Sequence, residues 1–152
     1  MSYLRDNTIS IPDRFRFRWW DNYDEQYYYD VQNLSETDCF GSGTDTEYTE
    51  HGDANNFGEL LKLQAKDYGV IEQCTGLKDK NGKLIYEGDI LATSPNSQSY
   101  GCYKVFFQKD ECSFKVISCD GSHDYAIPLN VLTEKNDFQI IGNIHENPEL
   151  LK

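Results

Sequence analysis

Three residues in the second half of the chain have side chains that commonly bind zinc. Cys112, Cys119 and His123 lie within a span of twelve residues. Short zinc-binding domains usually build their sites from closely spaced cysteine pairs, and this sequence contains no CxxC pair. We therefore predict no metal site and no cofactor, and we interpret the thiols as buried strand residues.

Two further residues have types that take part in catalysis. Cys74 could act as a nucleophile, and His145 could act as a base or a metal ligand. Glu146 follows His145, but the second histidine of a zinc-protease motif, one helical turn later, is missing. Nothing in the sequence pairs Cys74 with a histidine or supplies a recognisable oxyanion loop. We therefore predict no catalytic residues and expect that the protein is not an enzyme.

A basic and aromatic segment near the N-terminus could bind a partner instead. Arg14, Arg16 and Arg18 alternate with aromatic residues, and the period of two in a strand places the three arginines on one face. Together with Trp20 they could contact the phosphates and bases of single-stranded nucleic acid. The alternative, which we favour, is that the arginines pair with carboxylates of the neighbouring acidic segment, because opposite charges commonly pair across strands.

Negative charge is concentrated after this basic segment. Eleven Asp and Glu residues, but no Lys or Arg, lie between Trp19 and Leu61, and the whole chain has a net charge of −12. Such a charge disfavours general binding to nucleic acid, because contacts of Lys and Arg with phosphates supply most of the non-specific affinity. An acidic surface can accelerate association with a basic protein. We predict Asp45, Glu47 and Glu50 as contacts for such a partner, with a solvated face that aids solubility as the alternative.

The composition predicts a cytoplasmic protein that does not bind membranes. No apolar stretch follows Met1, so neither a signal peptide nor a membrane span is expected. Five cysteines without a dense framework favour free thiols. Eleven Tyr and eight Phe favour strands.

The first half of the chain is predicted to contain one hairpin and one helix. Residues 14–32 have strand patterns on both sides of the turn-forming residues 21–25. Residues 35–56 are polar and predict a loosely packed loop. Residues 57–68 have apolar side chains at helical spacing, with Asn55 or Asn56 as the N-cap and Gly69 as the stop.

The second half of the chain is predicted to be a small barrel. Asn81-Gly82 lies between Leu77 and Tyr86 and predicts a hairpin with a type I′ turn, which needs positive φ at both central residues. Gly88 suits a close backbone approach, and the Asp89 carboxylate can accept hydrogen bonds from nearby amides. Further short strands follow at barrel spacing, over residues 90–93, 102–108, 112–118, 125–128 and 138–145. We divide the chain into residues 1–69 and a C-terminal domain over residues 70–152, which could pack with the hairpin as one unit.

Three blocks of this sequence resemble the YopX-like phage and prophage proteins. The blocks are Phe17–Asp21, Thr75–Ile90 and Ile141–Leu151. The resemblance implies a mainly β fold with an SH3-like C-terminal barrel, and an origin in a bacteriophage or an integrated element, hence a bacterial host cytoplasm. It implies no biochemical activity and no site residues. The turn after Asp21 is acidic where relatives are often rich in lysine, which weakens a role for a basic first hairpin.

These observations predict an accessory or binding module that is mainly β and contains short helices. We expect it to bind a protein of basic charge through its acidic surface. Nucleic-acid association through Arg14, Arg16 and Arg18 is one alternative. Self-assembly through a sheet edge or the tyrosines at residues 27–29 is the other.

Overall fold

A computed structural model describes residues 12–34, 56–93, 101–134 and 137–152. The described part is mainly β, as predicted, and its strands form two antiparallel sheets. The strands are β1 Phe17–Asp21, β2 Gln26–Tyr29, β3 Gly69–Lys78, β4 Leu84–Tyr86, β5 Asp89–Thr93, β6 Cys102–Gln108, β7 Ser113–Ser118, β8 Ile127–Pro128 and β9 Phe138–Asn143. The helices are α1 Phe57–Ala65 and α2 Leu129–Thr133, with 3-10 turns at Asp13–Phe15, Val31–Asn33, Lys109–Glu111 and Pro148–Leu150. None of the described helices is long and apolar enough to cross a membrane.

The first sheet has the strand order β2-β1-β3-β4. In its centre, Trp19 of β1 lies opposite Tyr28 of β2 and Ile71 of β3. Because β3 pairs with β1, this sheet combines strands from both sides of the predicted boundary at residue 69. The β1–β2 hairpin is shorter than predicted, since a 3-10 turn ends at Phe15 and the strand begins only at Phe17.

Helix α1 packs on one face of the first sheet. The Asn56 side chain accepts a hydrogen bond from the Glu59 amide at 3.0 Å, which confirms Asn56 as the N-cap. Leu60 is fully buried with Trp19 in a small apolar core. Gly69 is not the helix stop, because the helix ends at Ala65. Gly69 instead begins β3 at a position where a Cβ would overlap the Trp19 ring.

The second sheet has the strand order β8-β7-β6-β5-β9. Its inner face covers the larger apolar core, which also receives Ile85 from β4 and Leu129 from α2. The buried members of this core are Ile85, Leu91, Tyr103, Val105, Val116, Leu129 and Phe138. The second sheet is therefore held mainly by burial of apolar side chains.

The hairpin between β3 and β4 is present as predicted, but its turn is not of type I′. Only Gly82 of the Asn81-Gly82 pair has positive φ, at 80°. The Asp79 carbonyl accepts from the Gly82 amide at 2.9 Å, and the Asp79 amide donates to the Lys83 carbonyl at 2.8 Å. These bonds define a three-residue loop that closes with a left-handed glycine. The Asp79 side chain favours this loop, because its Oδ1 accepts from the amides of Asn81 and Lys83, each at 2.9 Å.

The predicted strands of the second sheet are present: β6 has the predicted bounds, β5 begins one residue earlier at Asp89, and the other three strands are shorter. β7 begins at Ser113, since Cys112 has φ of 49°. β8 is reduced to Ile127 and Pro128, and β9 ends at Asn143. The loop predicted over residues 35–56 lies outside the described residues, except for Asn56.

Candidate functional site

Arg18 is a buried cation that contacts both sheets. Strand β1 directs Trp19 toward α1 and Arg18 toward the opposite face, where Arg18 is only 3% exposed. Its Nε lies 2.7 Å from Oε2 of Glu72 on β3, and its Nη2 lies 2.8 Å from Oδ1 of Asp89 on β5. The same Nη2 donates to the Glu87 carbonyl at 2.9 Å. One guanidinium therefore joins the two sheets.

His145 completes this group, which we call the Arg18 cluster: Arg18, Glu72, Asp89 and His145. His145 Nε2 lies 2.9 Å from Oε1 of Glu72. The imidazole stacks on Trp20 with ring centroids 4.9 Å apart and planes at 7°. Its backbone amide donates to Oδ1 of Asn143 at 3.0 Å, which fixes the turn after β9.

Two tyrosine rings enclose the guanidinium of Arg18. Its Cζ lies 4.1 Å from the ring centroid of Tyr27 and 4.7 Å from that of Tyr86. Both distances are within the range of cation–π attraction. The Tyr27 hydroxyl also donates to Oε2 of Glu72 at 3.0 Å. The aromatic residues thus hold the ion pairs away from water.

The turn between β4 and β5 fits closely against the cluster. Gly88 has φ of 81°, and a Cβ there would lie 2.5 Å from Oε1 of Glu72. Oδ2 of Asp89 accepts from the Tyr86 amide at 2.8 Å. Both predicted roles, a close backbone approach at Gly88 and an amide acceptor at Asp89, are confirmed.

Burial and charge act in opposite directions on the ionisable groups of the cluster. Burial raises the pKa of Asp89 to about 6, although Arg18 lowers it. Burial alone would lower the pKa of Arg18, but Asp89 and Glu72 raise it above its ordinary value. Arg18 therefore stays protonated, while Asp89 can take up a proton in mildly acidic solution.

A cleft of about 290 Å³ lies beside the cluster, along β9. In the pairing of β5 with β9, Leu91 is opposite Ile140 and Ile90 is opposite Gly142, so Ile141 is the extra residue of a β-bulge. The cleft is lined by Arg18, Tyr29, Lys83, Asp89, Ile140, Ile141, Gly142, Asn143, Glu146 and Asn147. Tyr29 and Ile141 are 53% and 38% exposed. The cleft therefore combines a charged base with an accessible aromatic and aliphatic rim.

The three arginines that the sequence placed on one face have different surroundings in the structure. Arg14 is exposed in the first 3-10 turn, and Arg16 forms ion pairs with Asp13 at 3.4 Å and Asp30 at 3.7 Å. Only Arg18 lies within β1, and it is buried. The three arginines therefore do not form one basic strand face, because Arg14 lies in the 3-10 turn before the strand and Arg18 is buried.

The favoured pairing of arginines with the acidic segment holds in part. Asp30, which pairs with Arg16, belongs to that segment. The partners of Arg18, Glu72 and Asp89, lie beyond its end at Leu61. The candidate contacts Asp45, Glu47 and Glu50 lie outside the described residues.

Trp20 does not present its ring to a partner. It is 6% exposed and packs between His145 and Tyr27. Stacking of a nucleic-acid base on Trp20 would require this packing to open.

Sequence reasoning missed Glu72, and it considered His145 only as a base or a metal ligand. The available signal for Glu72 was a carboxylate within the apolar strand segment 70–74, where a charge needs a buried partner. His145 carries no local signal, because its partners Glu72 and Trp20 are distant in sequence. Their grouping depends on the pairing of the sheets.

The prediction that the thiols are buried on strands holds for Cys74 of β3 but not for Cys112. Cys74 is buried, but Cys112 is exposed and follows a 3-10 turn rather than lying on a strand. Within the described ranges, no three His, Cys, Asp or Glu side chains are grouped to hold a metal ion.

Comparison with known proteins places the fold among relatives of one family. A family model described as YopX protein matches residues 16–152. The chain is also similar to the crystal structure of protein EF1440 from Enterococcus faecalis, with 28% identity, a TM-score of 0.54, and coverage of 90% of this chain and 97% of that one. No curated protein matches the chain. Since the family model covers most of the sequence, the chain belongs to the YopX protein family.

Proposed function

We propose that this protein is a non-catalytic binding module of phage or prophage origin, which acts in the host cytoplasm by binding another protein. The observation that carries this proposal is the cleft beside β9, whose rim exposes Tyr29 and Ile141. Exposed aromatic and aliphatic side chains around charged groups are typical of the residues that dominate protein interfaces. β2 and β9 hold these two side chains on the two sheets that the Arg18 cluster joins.

The contacts of Asp89 favour binding over catalysis. A general acid or base needs an atom within hydrogen-bond reach of its substrate. Oδ1 of Asp89 is paired with Arg18, and Oδ2 accepts from the Tyr86 amide. Asp89 is therefore suited to fix the base of the cleft.

The second sheet supports a further proposal, that this part of the fold is an SH3-like barrel. The strands β5 to β8 are consecutive neighbours, and β9 returns to pair with β5 after the short helix α2. Such small barrels are used as binding modules, although the fold alone assigns no partner.

The test is affinity purification from the bacterial host with nucleic acid retained, followed by mass spectrometry. Ile141→Asp places a charge on the rim of the cleft, and Val131→Asp is the matched control, because Val131 is 49% exposed on α2 and does not line the cleft. We expect a partner that wild type and Val131→Asp retain and Ile141→Asp loses. Retention of the same partners by all three proteins would contradict the proposal.

The acidic segment is a second candidate contact for a basic partner. It is favoured by the net charge of −12 and by the lack of Lys and Arg between Trp19 and Leu61. Charge complementarity would raise the association rate. Nucleic-acid binding by the arginine strand has less support, because Arg18 and Trp20 are buried.

A further inference from the structure

We propose that the cleft beside β9 binds a carboxylate group that has a hydrogen-bond donor next to it, with Arg18 and Lys83 as the cationic contacts. This inference deepens the proposed binding function and rests on it. Two sources have this chemistry: the C-terminus of a peptide, with its last amide, and a free amino-acid-sized acid. The cleft of about 290 Å³ is small for a binding pocket and matches a group of this size.

Arg18 has unused donors although it is buried. A guanidinium carries five N–H groups. The Nε donor binds Glu72, and the two Nη2 donors bind Asp89 and the Glu87 carbonyl. The two donors on Nη1 have no partner among the described residues, while the side chain is 4% exposed. Buried donors without an acceptor are rare in folded proteins, so an acceptor beyond the described residues is expected, and the proposal assigns a bound carboxylate to this role.

The proposal places Nη1 on the side of the guanidinium that faces the cleft. Tyr27 and Tyr86 lie over the guanidinium, and the edge formed by Nε and Nη2 meets the two carboxylates. The remaining edge of the guanidinium carries Nη1. Arg18 is one of the residues that line the cleft. An acceptor that fills the cleft therefore reaches Nη1.

Lys83 supplies a second cation at this cleft. It is exposed after the β3–β4 turn, and none of the described carboxylates lies within 4.0 Å of its ammonium. A carboxylate between Lys83 and Nη1 would receive charge-assisted hydrogen bonds from both sides.

Most polar side chains of the opposite wall are already engaged. Asn143 Nδ2 donates to Glu146 Oε2 at 2.7 Å, and Asn147 Oδ1 accepts from the Asn143 amide at 3.2 Å. Asn147 Nδ2 donates to Glu149 Oε1 at 3.3 Å. Oε1 of Glu146 accepts no hydrogen bond within the described part of the chain. This oxygen can accept the N–H or O–H next to the bound carboxylate, which favours an amino acid or a peptide terminus over a simple anion.

The test is NMR titration of the full-length protein with small probes at constant ionic strength. The probes are N-acetylalanine, its neutral analogue N-acetylalaninamide, alanine, and sodium chloride alone. We expect N-acetylalanine or alanine to shift the amide resonances of β9, while the neutral amide and chloride do not. Stronger binding of N-acetylalanine assigns a peptide terminus as the source, and stronger binding of alanine assigns a free amino acid.

Variants of two exposed lysines decide whether the cleft is the site. Lys83→Met should weaken binding of the acid by roughly tenfold, the effect of removing one hydrogen bond to a charged group. Lys78→Met is the matched control, because Lys78 is exposed on the same hairpin but does not line the cleft. Arg18 is not substituted here, since its loss would also remove the ion pairs with Glu72 and Asp89, and weaker binding could then not be attributed to the cleft.

Three results would overturn the inference. The first is that no probe shifts the resonances more than chloride does, which would leave water as the occupant of the cleft. The second is equal binding of the acid and the amide, and the third is equal binding of the acid by the Lys83→Met and Lys78→Met variants. If carboxylate binding fails while Ile141→Asp still loses its partner, the proposed protein-binding function stands, but the cleft recognises a group other than a carboxylate. If the acid binds but Ile141→Asp retains every partner, the carboxylate site stands and the protein-binding role fails.

Discussion

Asp79 and Asp89 hold the two turns at the ends of β4, and they differ in how their charges are stabilised. They are 6% and 3% exposed. Burial alone would raise the pKa of Asp79. Hydrogen bonds from the amides of Ile140, Lys83 and Asn81 lower it by a larger amount, so the net shift of this pKa is downward. Burial raises the pKa of Asp89 to about 6, which Arg18 and the Tyr86 amide only partly oppose.

The difference shows that similar burial can have opposite electrostatic results. Asp79 accepts two hydrogen bonds from its own turn and a third, at 3.0 Å, from Ile140 on β9. Asp89 accepts one amide hydrogen bond and shares its cation with Glu72. The backbone thus stabilises the first charge, whereas the second depends on a single side chain from another sheet.

The largest effect is expected from Arg18→Met. It leaves Glu72 and Asp89 buried without a cation, which should lower the free energy of unfolding by about 3–5 kcal/mol. Urea denaturation measures this change. Arg16→Met is the control, because its ion pairs are exposed to solvent and its loss should cost below about 1 kcal/mol. Equal losses in the two variants would show that the cluster does not hold the sheets together.

Asp79→Ala should have the next largest effect. It leaves the amides of Asn81, Lys83 and Ile140 without their acceptor, and we expect a loss of about 2–3 kcal/mol in urea denaturation. Asp120→Ala is the control, since Asp120 is exposed and accepts hydrogen bonds from Ser118 and Ser122 close by in sequence. A loss no greater than that of the control would mean that the local amides contribute little.

The smallest effect is expected in the pH dependence of stability. Because the native pKa of Asp89 lies above its unfolded value, its contribution is full below about pH 4 and is lost as the pH rises through about 6. For Asp79, with a lowered native pKa, the contribution is full above about pH 4 and is lost as the pH falls through the native pKa.

Unfolding curves between pH 3 and pH 8 measure this contrast. The stability difference between wild type and Asp89→Asn should decrease from pH 4 to pH 7. The difference between wild type and Asp79→Asn should stay constant over that range and decrease only at lower pH. Parallel profiles for the two variants would contradict the opposite pKa shifts.

The sequence predicted those features that depend on nearby residues. Asn56 caps α1 through an amide three positions away, and Gly88 and Asp89 shape a turn of four residues. The prediction of a type I′ turn was wrong although this turn also depends on residues near in sequence, because the Asp79 side chain competes for the turn amides.

The candidate site was not predictable because its contacts join distant segments. Arg18 and Glu72 are 54 positions apart, and Glu72 and His145 are 73 positions apart. The alternating pattern of β1 indicated one buried face. In the structure both faces are covered, one by α1 and the other by the Arg18 cluster. An arginine in an alternating strand is therefore no proof of exposure.

The long sequence separation between Glu72 and His145 has a consequence for biosynthesis. A translating ribosome synthesises Arg18 and Glu72 long before β9 and His145. β5 therefore lacks its β9 neighbour, and Glu72 lacks His145, until residues 138–145 have left the ribosome. Pairing over such long separations is intrinsically slow, and unpaired strand edges are exposed until it occurs. We expect the newly made chain to depend on chaperones during this interval, and to close its charged interior only after His145 has left the ribosome.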